Sequence, residues 1–140
     1  MLRHVATRPL LLVLGACVLA GCGDSGPTDE QRIRAALAEF GRATAARDYG
    51  ALCDRVLAPD LIETVERIGL TCEEALKKGF EDVEDPRLTV GTVNVDGDRA
   101  TAEVRSSAAG ESPSQDTVEL VRVGDGWRVA SLSAAAAAAP

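Results

Sequence analysis

Cysteines are the residues of this 140-residue chain that are best suited to covalent chemistry. Cys53 and Cys72 form a pair that is 19 residues apart. A metal site at this pair would need further ligands, and a catalytic thiol would need a histidine base. The single histidine is His4, which lies in the N-terminal segment that is predicted below to be removed as a signal peptide. Because an even pair of cysteines is expected to oxidise outside the cytoplasm, we predict a structural disulfide if the chain is exported.

The N-terminal segment indicates export. Arg3 and Arg8 form a short basic start, and an apolar run follows from Leu10 to Ala20. A basic start, a short apolar run and small residues at the exit are typical of a secretory signal peptide. The apolar run is about half of the ~20 residues that cross a bilayer as a helix, so a permanent membrane span is not predicted.

The end of this segment, Leu19–Cys22, has the sequence Leu-Ala-Gly-Cys and resembles the lipobox of bacterial lipoproteins. The resemblance implies cleavage before Cys22 and a diacylglyceryl group on its thiol, which anchors the chain to the extracytoplasmic face of the cell membrane. Cys17 loosely fits the same pattern, but cleavage there would leave too few apolar residues after Pro9. The other alternative is an ordinary secreted protein in which Cys22 is incidental. We predict lipidation at Cys22, with two or more acyl chains giving a stable anchor.

The chain divides into four parts on this interpretation. Residues 1–21 are the signal peptide, 22–27 a polar lipidated tether, 28–133 one domain and 134–140 a low-complexity tail. The first 21 residues contain two of the 15 basic residues and none of the 22 acidic ones, so the remainder has a net charge near −9. No basic cluster is present, which argues against nucleic acid as a partner. No cofactor or metal site is predicted.

Four helices are predicted in the first half of the domain. Thr28–Gln31 is a capping box, and apolar residues at helical spacing extend this helix to Arg47. Asp48 is predicted to cap a second helix, which ends before Pro59. The same capping pattern predicts two further helix starts, at Asp60–Glu63 and Thr71–Glu74.

Strands are predicted after residue 80, where Val and Thr become frequent. The strands span residues 88–95, 99–106, 117–123 and 127–133, and tight turns at 96–98 and 124–126 join them into two hairpins. Val118 and Leu120 alternate with Val121 and Val123, so part of the sheet is predicted to face a cavity or a partner. The fold class is α+β, with short N-terminal helices packed on a curved four-stranded antiparallel sheet.

This arrangement resembles the nuclear-transport-factor-2-like (NTF2-like) superfamily over residues 28–133. The matching features are the long capped first helix (28–47), the opening of the second helix (48–52) and the last hairpin, Gly-Asp-Gly-Trp-Arg-Val at 124–129. The resemblance implies a cone-shaped fold whose enzymes use Asp, His or Tyr inside the cone. The domain lacks histidine, and Tyr49 is its only tyrosine, so we assign no catalytic residue.

Two function classes follow from these observations. The first is a lipid-anchored, non-catalytic envelope domain that binds an apolar small molecule or an envelope protein, with a homodimer through the sheet face as a further expectation. The alternative is an isomerase or cyclase of the same fold that uses carboxylates in the cone. Trp127 and Tyr49 are the candidate pocket residues, although a single tryptophan equally supplies buried area to a core. The acidic run 81–85 lacks the glycine and spacing of a calcium loop, so we interpret it as a solvated linker.

Overall fold

A computed structural model of the protein describes residues 26–134. Three predicted segments lie wholly or mostly outside these residues. They are the signal peptide, the tether with Cys22, and the low-complexity tail except for its first residue. None of the helices in the described part is both long and apolar enough to cross a membrane. The helical elements are α1 (Asp29–Ala46), α2 (Tyr49–Ala51), a π-helical turn (Leu52–Val56), α3 (Pro59–Glu66) and α4 (Cys72–Gly79). The strands are β1 (Arg87–Asp96), β2 (Arg99–Ser107), β3 (Ser114–Val123) and β4 (Gly126–Ala134).

Helix α1 begins at the predicted capping box. The Thr28 hydroxyl accepts a hydrogen bond from the Gln31 amide at 3.3 Å, and the Gln31 side chain accepts one from the Thr28 amide at 2.8 Å. These bonds satisfy two of the amides that the first turn of a helix leaves without partners. The helix ends where Arg47 adopts a left-handed conformation, with φ at 56°.

The predicted second helix is interrupted. The Asp48 side chain caps α2 by accepting from the Ala51 amide at 3.0 Å, as predicted, but α-helical geometry lasts for a single turn. The chain then forms the π-helical turn, in which the Leu57 amide donates to the Leu52 carbonyl at 2.9 Å. This wider turn buries Leu52, Val56 and Leu57 together, so tertiary packing overrides the regular helix here.

The start of α3 differs from the prediction, whereas the start of α4 confirms it. Helix α3 starts at Pro59, preceded by Ala58 without a side-chain cap, so Asp60 lies inside the first turn and does not cap it. Proline is favoured at this position because its φ angle is already helical. Helix α4 has the predicted capping box, and hydrogen bonds from the amide and then the hydroxyl of Thr71 lower the pKa of Glu74.

The four strands pair antiparallel in the order β1-β2-β3-β4, which includes both predicted hairpins. Strand β3 begins earlier than predicted because Ser106 and Ser114 are still in register across β2 and β3. A bulge lies in β1 between Val90 and Val93. Arg34 of α1 donates to the carbonyls of Val90, at 3.4 Å, and Gly91, at 2.9 Å, which gives backbone oxygens at this bulge a partner.

The core lies between α1 and one face of the sheet. The sequence predicts that part of the sheet around Val118 and Leu120 faces a cavity or a partner. In the structure both side chains are buried in this core. The opposite face of the sheet exposes Thr, Glu and Arg side chains such as Thr101, Glu103 and Arg105. The predicted homodimer through the sheet stays a prediction. The buried core residues include Ile33, Leu37, Phe40, Leu52, Val56, Leu57, Ala100, Ala102, Val104, Val118, Leu120, Trp127 and Val129.

Helix α1 runs along the sheet and gives the molecule two ends. At the start of α1 lie the turns that join β1 to β2 and β3 to β4, and we call this the turn end. At the other end lie the segment 80–86, which follows α4, and the connection 108–113 between β2 and β3. A Cβ atom added at Gly41 would lie 3.4 Å from the Leu88 Cβ, so α1 approaches β1 closely beside this second end.

Candidate functional site

Two adjoining cavities occupy the end of the molecule that is opposite to the turn end. Their volumes are about 400 and 200 Å³, and they share the lining residues Thr44, Phe80, Val83, Pro86 and Arg87. We call the pair the helix-end groove, and this end of the molecule the groove end. It is bounded by the last turns of α1 (40–47), the segment 80–88 and the segment 106–114. The larger cavity is within the size range of small-molecule sites.

Apolar side chains form the inner wall of the helix-end groove. Phe40 and Phe80 both line the 200 Å³ cavity, and they are the two phenylalanines of the sequence. Val83, Pro86 and Leu88 complete this wall. Phe40 reaches the groove from the buried face of α1, whereas Phe80 directly follows α4. An apolar wall of this kind favours a ligand with an aromatic or alkyl body.

Arg47 supports the outer wall of the groove. Its guanidinium donates to the carbonyls of Phe80 and Val83, both at 3.2 Å. The left-handed conformation that ends α1 therefore also places this side chain beside the segment after α4. A third contact ties the same segment to the β2–β3 connection, since the Ala109 amide donates to the Glu84 carbonyl at 2.8 Å. The segment after α4 and the β2–β3 connection are thus held through their backbone groups. The cavity lies beside these contacts.

Hydroxyl groups line the sheet side of the groove. The Ser106 and Ser114 hydroxyls are 2.8 Å apart, and the Ser114 hydroxyl donates to the Asp116 carboxylate at 2.7 Å. A serine nucleophile would require an adjacent general base, usually a histidine. The described residues contain no histidine. The cluster joins the end of β2 to the start of β3 and places its hydroxyl groups at the groove.

The rim of the groove is charged. Glu84 and Asp85 line the 400 Å³ cavity, Glu111 lines the 200 Å³ cavity, and Arg87 lines both. Asp85 has a φ of 47°, a left-handed conformation that aspartate tolerates better than most residues. No three acidic, histidine or cysteine side chains of the described chain come close enough together to hold a metal ion.

The turn end is closed by a network of charged and aromatic side chains. Arg122 of β3 donates two hydrogen bonds to Asp29, at 3.0 and 2.7 Å, and one to Asp98 at 3.1 Å. The Trp127 indole nitrogen donates to Asp29 at 3.2 Å, and the Arg122 guanidinium lies 4.5 Å from the centre of the Trp127 ring. The hydrogen bonds from Arg122, and then from Trp127, lower the pKa of Asp29 to about 2. This network fixes the start of α1 to two strands.

The two candidate pocket residues lie away from the helix-end groove. Trp127 is 4% exposed and belongs to the core, where its indole group bonds to Asp29. Tyr49 packs against the core from α2, and its buried hydroxyl has no hydrogen-bond partner among the described residues. Neither side chain lines either cavity of the groove. The structure thus gives Trp127 the role of a core anchor, the structural interpretation of a single tryptophan.

Cys53 and Cys72 form the disulfide that the sequence predicts, with their Cα atoms 6.1 Å apart. The bond joins the π-helical turn to the first residue of α4. Cys72 is the one buried residue of α4, and Leu76 of the same helix also packs against the core, so the disulfide and apolar contacts together hold this helix. Because α4 leads directly into Phe80, the bond also supports a wall of the helix-end groove.

The interior of the described domain is apolar. Thr44 is the one buried polar side chain, and its hydroxyl donates to the Phe40 carbonyl at 2.8 Å. The isomerase or cyclase alternative requires a carboxylate base that faces an apolar pocket. Among the residues that the structure describes, no Asp or Glu is buried in the core. The carboxylates that line the groove, Glu84, Asp85 and Glu111, are exposed at its rim.

Sequence reasoning did not find the helix-end groove. Its lining comes from three segments that are distant in the sequence, and no motif joins them. Two signals were present. Both phenylalanines lie in this site, and Arg47 occupies the helix-ending position where glycine is usual, which suggests a role for its side chain.

No protein-family model matches the sequence, and no curated protein matches it. Among solved structures, the chain is similar to an NTF2-like protein of unknown function from Silicibacter pomeroyi DSS-3, with 18% sequence identity and a TM-score of 0.52. That match covers 72% of this chain and 89% of the other. A de novo designed NTF2 fold protein is similar at 19% identity and a TM-score of 0.50, over 76% of this chain and 87% of the design. The chain therefore has the NTF2-like fold, as the resemblance implied.

Proposed function

We propose that this protein is a lipid-anchored domain of the bacterial cell envelope that binds a small apolar molecule in the helix-end groove. The observation that carries the binding role is the groove itself, an open cavity with two phenylalanine rings, aliphatic side chains and serine hydroxyls in its lining. The lipobox-like segment that ends at Cys22 supports the anchor. Because the described core offers no carboxylate base, we favour binding over catalysis.

The position of the groove is compatible with such an anchor. Lipid on Cys22 would hold the chain by a linker of six residues, which reaches at most about 20 Å. Helix α1 has 18 residues and is therefore about 27 Å long. The start of α1, at the turn end, would then stay within about 20 Å of the membrane, and the groove lies near the other end of this helix.

Lipidation is tested by substitution of the two candidate cysteines. Cells that express the full chain are labelled with an alkyne analogue of palmitate and separated into membrane and soluble fractions. Cys22→Ser is expected to abolish labelling and to release the protein from the membrane. Cys17→Ser is the matched control and is expected to change neither. Labelling that survives Cys22→Ser or is lost in Cys17→Ser would refute the assignment to Cys22.

The binding role is tested by filling the groove. Ser112 lines the 200 Å³ cavity and is exposed, so Ser112→Trp is expected to occupy it without disturbing the core. Thr117→Trp places the same side chain on the exposed face of the sheet and serves as the control. Protein purified from cells is extracted with organic solvent, and small molecules are identified by mass spectrometry. Apolar molecules should be recovered with the wild type and with Thr117→Trp but not with Ser112→Trp. Equal recovery from all three would exclude the groove as their site.

A further inference from the structure

We infer that the ligand of the helix-end groove is an organic cation, an ammonium or similar group attached to an aromatic or alkyl body. This inference rests on the proposed binding function and adds the charge of the ligand. It follows from three features of the groove. These are its aromatic wall, the negative charges at its rim, and the hydrogen bonds that hold one of its two arginines, Arg47, against backbone carbonyls.

The aromatic wall suits a cation. Phe40 and Phe80 both face the 200 Å³ cavity, and the negative face of an aromatic ring attracts an ammonium group within about 6 Å of its centre. The same rings accommodate the apolar body of an amine. Serine hydroxyls at positions 106, 112 and 114 add hydrogen-bond acceptors for an N–H donor.

Negative charge dominates at the rim. Glu84, Asp85 and Glu111 line the groove, and Glu81 and Asp82 are exposed in the segment that forms its outer wall. The side chains of the three lining carboxylates have no ion-pair partner in the described part of the chain. They are therefore free to pair with a ligand. The overall negative charge of the chain adds a field that attracts cations and repels anions.

The positive side chains of the lining do not balance these carboxylates. The Arg47 guanidinium is engaged by the carbonyls of Phe80 and Val83, so it faces the wall that it supports. Arg87 is the other arginine of the lining, and it lies between the two cavities. The positive charge of Arg87 would favour an anionic ligand over a cationic one. Substitution of Arg87 therefore tests the inferred charge of the ligand directly. The absence of a three-ligand cluster among the described residues argues for an organic cation rather than a metal ion.

Three probes with the same apolar body separate the alternatives: 4-phenylbutylammonium, 4-phenylbutyrate and 4-phenyl-1-butanol. Each is titrated into the purified full chain and followed by isothermal titration calorimetry. We expect the ammonium probe to bind about tenfold more tightly than the alcohol, and the carboxylate most weakly, since a cation–π contact and a partly exposed ion pair act together. This preference should fall as salt concentration rises.

Variants assign the preference to the rim. Glu111→Gln and Glu84→Gln are each expected to weaken ammonium binding severalfold and to leave alcohol binding unchanged, whereas Arg87→Gln should strengthen ammonium binding. Asp125→Asn removes an acidic side chain at the turn end and should leave all three affinities unchanged. Equal binding of the three probes, or tighter binding of 4-phenylbutyrate, would overturn the inferred charge while the proposed binding role stands. Failure of all three probes to bind would count against the binding role and the inference together.

Discussion

The turn end and the groove end of this domain are held by different kinds of contact. At the turn end, Asp29 bonds to Arg122 and Trp127, which are 93 and 98 residues away in the sequence, and these side chains satisfy one another. At the groove end, Arg47 bonds only to backbone carbonyls of a connecting segment, and the space beside it stays open. One end of the fold is therefore closed by side-chain pairs, while backbone contacts leave a cavity open at the other end. Binding sites are commonly found on such connecting segments, which a rigid scaffold positions.

The largest expected effect concerns the disulfide. Cys53→Ser and Cys72→Ser should each lower the free energy of unfolding by about 3 kcal/mol, because the bond closes a loop in the unfolded chain. Amide hydrogen exchange should rise in α4 and in the segment 80–86 more than at the turn end. Urea denaturation and exchange measured by mass spectrometry test both points.

The double variant and the reduced wild type are the controls for this experiment. Both should match either single variant, since each lacks the same bond. Unequal single variants would argue against a shared bond, and exchange that rises equally at both ends would show that the disulfide does not support the groove end in particular.

The next effect concerns acid stability at the turn end. Because the pKa of Asp29 is about 2 in the folded protein, below the ordinary value of 3.8, its ionised form stabilises the fold above about pH 4. This contribution is lost as the pH falls from 4 towards 2. Asp29→Asn should therefore be less stable than the wild type at pH 7, and the difference should shrink towards pH 2. Urea midpoints over this range provide the measurement.

Asp125→Asn serves as the control for Asp29→Asn, because Asp125 lies in the neighbouring turn and outside the network. It should follow the wild-type curve. The lowered pKa of Glu74 is common to all three proteins and cancels in the comparison. A difference between Asp29→Asn and the wild type that is constant from pH 7 to pH 2 would contradict the assigned role of Asp29.

The smallest effect on global stability is expected at Arg47. Arg47→Gln removes two hydrogen bonds to carbonyls, each worth about 1 kcal/mol or less in net stability. We expect a small change in the urea midpoint but exchange about tenfold faster for amides of the segment 80–86. Arg55→Gln, which removes another exposed arginine, should change neither. Exchange in the segment 80–86 that is unaffected by Arg47→Gln would show that other contacts hold this wall.

Local signals in the sequence predicted most of the fold. Capping boxes at Thr28 and Thr71 marked the starts of α1 and α4, because a side chain must satisfy the first amides of a helix. Glycine in the turns at Gly97 and Gly124, both with positive φ, marked the two hairpins. The features that were mispredicted, such as the π-helical turn after Ala51, depend on packing against residues far away in the chain.

The candidate site was much less accessible to sequence reasoning. Trp127 was considered for a pocket because of its type, but its indole group is buried against Asp29. The groove residues carry no shared pattern, and Arg47 gains its role only because α4 ends beside α1. A side chain's type indicates what chemistry it offers, whereas its neighbours decide whether that chemistry is used in the core or at a cavity.

Sequence patterns alone predicted the order of helices and strands, since capping residues and turn glycines act between near neighbours in the chain. The pairing of Cys53 with Cys72 followed from their being the two cysteines of the domain, and lipidation at Cys22 stays a prediction. Which end of α1 is closed and which is open depends on packing, because Asp29 meets Arg122, and Arg47 meets Phe80, through contacts between distant segments. Such contacts arise when the helices pack on the sheet, and no local pattern of residues specifies them.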